Sequence, residues 1–131
     1  MINYDIILEK KGDTMPKIKI KYEVCSKSLD SDENYFENKE VAAILDNDNL
    51  KYKENNTKVI FNYKNKTLRR QNDQLEMIHD FDRLLSNVHI LSIGRDIDTK
   101  IELNTYKVNN NNIEIKYKVN DIEIEYKVEV Q

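Results

Sequence analysis

An arginine at an inward strand position demands a chemical partner, and Arg70 is placed to be one. Thr57 to Tyr63 and Lys66 to Arg70 read as a hairpin turning at Lys64-Asn65, which sets Val59, Phe61, Tyr63 and Leu68 on one face with Arg70 and turns Arg69 outward. A desolvated guanidinium needs a carboxylate or phosphate beside it. Arg70 therefore holds the head group of an anionic or fatty ligand, or else sits at the barrel rim or pairs with an acid of the protein itself. Phe61, Tyr63, Tyr117 and Tyr126 are the aromatic candidates to line the same space. With Tyr4, Tyr22 and Tyr52, these tyrosines mostly fall on the apolar faces of their segments. They form either core or pocket lining, and each buried hydroxyl needs a partner, which favours a partly wet interior.

Other reactive side chains lack the company that chemistry requires. His79 and His89 flank Arg83, but no spacing around them supplies a metal set or a catalytic base with its orienting group. Cys25 ends a predicted strand without a second cysteine, so it reads as a buried, inert thiol that cannot form an internal disulfide. Arg95, beside Asp96 and Asp98, reads as a solvated turn. Asp46-Asn47-Asp48-Asn49 and Asp30-Ser31-Asp32 start like calcium loops, yet their sixth positions are Lys51 and Tyr35 and their twelfth Thr57 and Val41, so the glycine and the bidentate glutamate are missing. No glycine-rich phosphate loop, nucleophile elbow or zinc spacing occurs, so the sequence implies no cofactor; an enzyme is the third reading, open only if Arg70, His79 and a carboxylate converge in one cleft.

Length and composition bound the rest. The 131 residues suit one domain, and with 39% hydrophobic and 34% charged residues, two glycines and one proline, the chain has the balance of a folded protein. A formal charge of −3 provides no basic stripe for nucleic acid. No apolar run approaches a membrane span, and Ile2 to Leu8 is too short and too acidic for a signal peptide, so a cytoplasmic location is expected.

Period-two alternation sets the architecture. Ile113 to Val119 and Ile122 to Val128 alternate apolar and charged residues, and a turn at Asn120-Asp121 opposes Val119 to Ile122, Tyr117 to Ile124, Ile115 to Tyr126 and Ile113 to Val128. The same register opposes Lys118 to Glu123, Lys116 to Glu125 and Glu114 to Lys127 on the other face. A second hairpin is expected around Lys11-Gly12-Asp13-Thr14-Met15, opposing Leu8 to Ile18, Ile6 to Ile20, Tyr4 to Tyr22 and Ile2 to Val24. Cys25 to Asn34 reads as a solvated connection with a helical turn near Tyr35 and Phe36. Val41 to Leu45 returns through Asp46-Asn49 into Leu50 to Tyr52, and Ile101 to Val108 carries a bulge near Asn104 because its apolar face switches there. Gln74 to Ser92 fits a helical stripe and a strand alternation alike, and the hairpins on both sides favour strands over Leu75 to Phe81 and Val88 to Ile93. Eight to ten strands must hide their edges, which predicts an all-β fold, an antiparallel up-and-down barrel. The lysines at 17, 19 and 21 complement the acidic outer face of the last strand, so these two strands are expected to meet at the closure.

From Val41 onward the order of features resembles the YwiB-type bacterial proteins, which belong with the calycin-like, lipocalin-related barrels. The residues that carry it are Leu50-Lys51-Tyr52-Lys53-Glu54, Lys58-Val59-Ile60-Phe61, Leu68-Arg69-Arg70, Leu75-Glu76-Met77 with Phe81, Ile101 to Thr105 and Ile115-Lys116-Tyr117. The resemblance implies the barrel and permits a function by analogy with lipocalins. The expected function is binding of a small amphiphilic or anionic ligand inside the barrel, through Arg70, Tyr63, Tyr117, Tyr126 and Phe61. The alternative is an interaction module with a filled interior.

Overall fold

In a computed structural model that describes residues 17–131, ten antiparallel strands close into a barrel with each strand beside its sequence neighbours. They are β1 (Lys17–Ser28), β2 (Asn34–Asp46), β3 (Asn49–Glu54), β4 (Thr57–Asn62), β5 (Thr67–Gln71), β6 (Leu75–Asp80), β7 (Leu85–Ile90), β8 (Arg95–Val108), β9 (Asn112–Val119) and β10 (Ile122–Val130). Among the described residues no helix forms, and hence none is long and apolar enough to cross a membrane. The ambiguous segment resolves as β6 and β7.

The last hairpin adopts the expected register, with Ile124 opposite Tyr117 and Tyr126 opposite Ile115. On its outer face Lys116 meets Glu125 at 3.1 Å, whereas Lys118 reaches across to Glu102 on β8 at 3.7 Å. Closure joins β1 to β10, pairing Lys21 with Glu129 and Lys27 with Glu123. The bulge lies between Leu103 and Thr105, which lets Ile101 and Tyr106 both serve the inner face. Tight turns place Asn47, Asn55 and Asn120 at positive φ, the region asparagine tolerates best among residues with a side chain. Lys66 and Leu84 also adopt it, at φ 58° and 59°.

Two expectations fail. Cys25 to Asn34 is not a solvated connection with a helical turn: β1 runs on to Ser28 and β2 starts at Asn34, so Tyr35 and Phe36 lie in a strand. Cys25 sits mid-strand and partly buried, opposite Phe36 and Glu125. Arg95 likewise opens β8 rather than a turn, although it is exposed as expected. The partner strand proposed for Lys17 to Val24, together with Tyr4, lies outside the described residues. Within them β1 has β2 along one edge and β10 along the other.

Inward positions divide by depth. Ile20, Leu50, Val59, Phe61, Leu68, Ile113, Ile115 and Val128 form a sealed apolar core, each at most 2% exposed. Towards the end of the barrel that holds the β3–β4, β5–β6 and β7–β8 turns, the inward positions become polar or partly exposed. Glu37, Glu54 and Arg70 lie in this region, together with the apolar series Leu75, Met77, Val88, Ile90 and Ile97.

Candidate functional site

The interior polar cluster follows from alternation. Leu68 is sealed in the core, and two residues on, Arg70 faces the same way. Leu50, Tyr52 and Glu54 repeat this on β3. Pairing of β3 with β4 and of β4 with β5 sets Tyr52 opposite Val59 and Val59 opposite Arg70. These neighbours bring Arg70 Nε to 3.1 Å from Glu54 Oε1 and Nη2 to 3.5 Å from Oε2, with the arginine side chain only 13% exposed. Arg70 thus points inward and pairs with an acid of the protein. Burial alone would lower its pKa, but the adjacent Glu54 carboxylate reverses this and holds the guanidinium charged.

Tyrosines extend the pair across the barrel. Tyr52 Oη donates to Glu54 Oε2 at 3.0 Å and lies 2.6 Å from Tyr126 Oη. A hydroxyl has one proton, and the carboxylate can only accept, so Tyr126 donates to Tyr52 and Tyr52 to Glu54. The Tyr126 ring lies under the Arg70 guanidinium at 5.5 Å, a cation–π contact. Burial raises the pKa of both phenols, so the network is neutral apart from the one ion pair. On β6, His79 is buried with Nδ1 2.8 Å from Tyr117 Oη. Burial, reinforced by the positive charge of Arg70, pushes its pKa down to about 4, and burial pushes Tyr117 up to about 12. The neutral imidazole therefore accepts the Tyr117 proton, or donates to the phenol oxygen from its other tautomer.

The sequence-based candidates separate into three groups. Arg70, Tyr117 and Tyr126 come together in this cluster. Phe61 is fully buried in the core, and Tyr63 packs edge-on against it at 5.1 Å, away from the Arg70–Glu54 pair. His89 is outside the barrel, 2.7 Å from Asp96. Sequence reading did not single out Glu54, which shares the inner face of β3 with Leu50 and Tyr52. It also did not mark Glu37, which accepts from Tyr22 at 2.7 Å and from Tyr35 at 2.5 Å on the inner side of β2. Among the described residues no group of three His, Cys, Asp or Glu side chains is placed to hold a metal ion.

Above the cluster lies an apolar wall. Arg70 pairs in register with Met77, Met77 with Val88, and Val88 with Ile97, while Leu75 pairs with Ile90 one step further out. Ile97 is 41% exposed, and the others are partly exposed despite facing inward. Elsewhere, two depressions of about 430 and 510 Å³ mark the outer surface, but lysines and glutamates alternate along both, so neither presents a field of one sign.

Tyr106 contributes a separate, testable detail. Its hydroxyl is buried without a hydrogen-bond partner among the described residues, and its ring packs 6.0 Å from Phe81. An orphaned hydroxyl costs about 1–3 kcal/mol of desolvation. Tyr106→Phe is thus expected to leave stability unchanged or raise it by up to about 1 kcal/mol. Urea unfolding of the variant checks this, and a clear loss of stability would reveal a partner for the hydroxyl.

Neither a family model, nor a curated protein, nor a solved structure matches the chain.

Proposed function

We propose that the barrel is a non-enzymatic binding protein for a small amphiphile whose acceptor-bearing, anionic head meets Arg70 and whose apolar part lies on the β6–β8 wall. The observation that carries this reading is the juxtaposition of the two surfaces. Met77, directly opposite Arg70, begins a run of inward apolar side chains that, among the described residues, stay partly exposed and outside the packed core. Apolar surface at inward positions is costly unless something covers it. Arg70 meanwhile reaches Glu54 through Nε and Nη2, and its guanidinium also lies close enough to the Tyr117 phenol to lower its pKa by charge and hydrogen bonding. A guanidinium offers five donors in a fork, more than Glu54 and Tyr117 together engage, so a donor is left for a further oxygen acceptor. Glu54 already accepts from Tyr52 and Arg70, which leaves little capacity for a ligand donor such as an ammonium.

The resemblance to YwiB-type, calycin-like barrels agrees with this reading, as does the ten-strand closure, since interior width grows with strand number. Titrating the protein with octanoate, octylamine and 1-anilinonaphthalene-8-sulfonate, followed by tyrosine fluorescence and NMR, tests it. Octanoate and the sulfonate are expected to bind saturably at one site and octylamine not. Val88→Asp on the wall is expected to weaken octanoate about tenfold or more, the effect of a buried unpaired charge. If neither anion binds, the reading falls, and the exposed Phe36 on the outer face of β2, at 61%, then favours a protein-interaction module.

A further inference from the structure

Glu54 is 9% and Arg70 13% exposed, against 41% for Ile97 on the wall, although all face the same end of the barrel. The first half of β2 faces the same interior. Register with β1 sets Tyr35 opposite Ser26, Glu37 opposite Val24 and Lys39 opposite Tyr22, all inward positions. The Tyr35 phenol lies close enough to feel the charges of both Glu54 and Arg70.

Among the described residues, strand pairing holds this half of β2 on one side only. Eleven residue pairs join β2 to β1, whereas only Ile44–Lys51, Leu45–Leu50 and Asp46–Asn49 join it to β3. Among the described residues, Asn34–Ala43 therefore has no strand paired along its edge towards β3, and Tyr52–Glu54 none along its edge towards β2. Every other junction in the barrel carries at least five paired residues. Across the unpaired stretch, Lys39 Nζ meets Asn55 Oδ1 at 2.8 Å, and the Tyr22 and Tyr52 rings stand 5.2 Å apart. Separating β2 from β3 here breaks no ladder hydrogen bond and leads directly to Glu54, the last residue of β3.

Resting on the proposed ligand site, we infer that Asn34–Ala43 is a flap over that site, hinged where β2 meets β3 at Ile44–Asp46 and latched by Lys39 on Asn55. A latch of this kind sets how fast a ligand enters and leaves and does not alter how well it is held, because it touches the cover and not the ligand. Its effect therefore falls on both rate constants together.

Stopped-flow binding of 1-anilinonaphthalene-8-sulfonate to the whole protein tests this. Lys39→Ala removes the latch and is expected to raise kon and koff together by about threefold, the scale of an exposed polar link, with Kd unchanged. Asn55→Asp keeps a residue that tolerates the positive φ at this turn and gives Lys39 a charged partner, so both rates should fall at low salt and recover at high salt. Unchanged rates in both variants, or a shift in Kd through koff alone, would overturn the flap and leave the binding site standing. A wild-type protein that does not bind the sulfonate would remove both.

Discussion

Arg70→Met is expected to destabilise the protein by about 3–5 kcal/mol, and Arg70→Met combined with Glu54→Gln to recover most of that loss. The asymmetry follows from the pair's position. Attraction between the two charges offsets the cost of taking both out of water, but it vanishes when one partner goes, and the full desolvation penalty of the other remains. Glu54 is 9% exposed and is also the acceptor for Tyr52, so removing the guanidinium leaves a carboxylate whose one remaining hydrogen-bond partner among the described residues is a phenol. Glutamine in its place is neutral and still accepts from Tyr52, and methionine fills the arginine's volume over the Tyr126 ring. Urea unfolding of the wild type, the single variant and the double variant measures the cycle. A double variant no more stable than Arg70→Met would show that the arginine is held by something other than Glu54. The double variant also separates stability from function. It is expected to fold and to lose octanoate affinity by about 10- to 100-fold, the worth of a hydrogen bond to a charged group of 1.5–3 kcal/mol.

How this pair escaped a purely local reading shows where alternation succeeds and where it does not. Inside and outside could be sorted wherever one face of a strand is apolar and the other charged. The β9–β10 hairpin is the clearest instance, because two independent faces agreed on one register: Tyr117 with Ile124 within, Lys116 with Glu125 without. The same parity, extended two residues past Leu68, placed Arg70 inward. It failed over Cys25 to Glu40, where the inward positions are Ser26, Ser28, Tyr35, Glu37 and Lys39 and the outward ones are equally polar. A strand that lines a polar interior near an open end has no apolar face to announce it, so its residues read as loop. The partners within the cluster were invisible for a different reason. Tyr52 and Tyr126 are 74 residues apart and meet only because the barrel closes, and His79 finds Tyr117 across 38 residues. Alternation says which side chains enter the interior, but which of them touch depends on strand order and stagger around the whole ring. Glu54 combines both difficulties, as a polar residue at a strand end whose significance appears only once Arg70 is its neighbour.

His79 should dominate the acid limb of the stability curve. Its folded pKa lies near 4 because burial, and then the charge of Arg70, oppose protonation. In the unfolded chain it returns to about 6.5. The unfolded state therefore takes up a proton between these values that the folded state refuses, and stability falls as pH falls through that window. Above pH 7 the contribution is fully present. Between about pH 6.5 and pH 4 it is lost, and the shift corresponds to about 3 kcal/mol, an order-of-magnitude figure applicable to a side chain this deeply buried. Below pH 4 both states carry the proton and this residue adds no further slope. His79→Gln keeps an uncharged side chain able to meet Tyr117 Oη and has no proton to gain. Its stability should consequently vary far less than that of the wild type between pH 7 and pH 4, whatever its stability at neutral pH. Urea midpoints at intervals across this range measure the difference, and NMR titration of the imidazole locates the folded pKa directly. Parallel curves for the two proteins would mean that His79 does not carry the acid sensitivity, and that the Arg70 charge is too far from the ring, or too well neutralised by Glu54, to matter there.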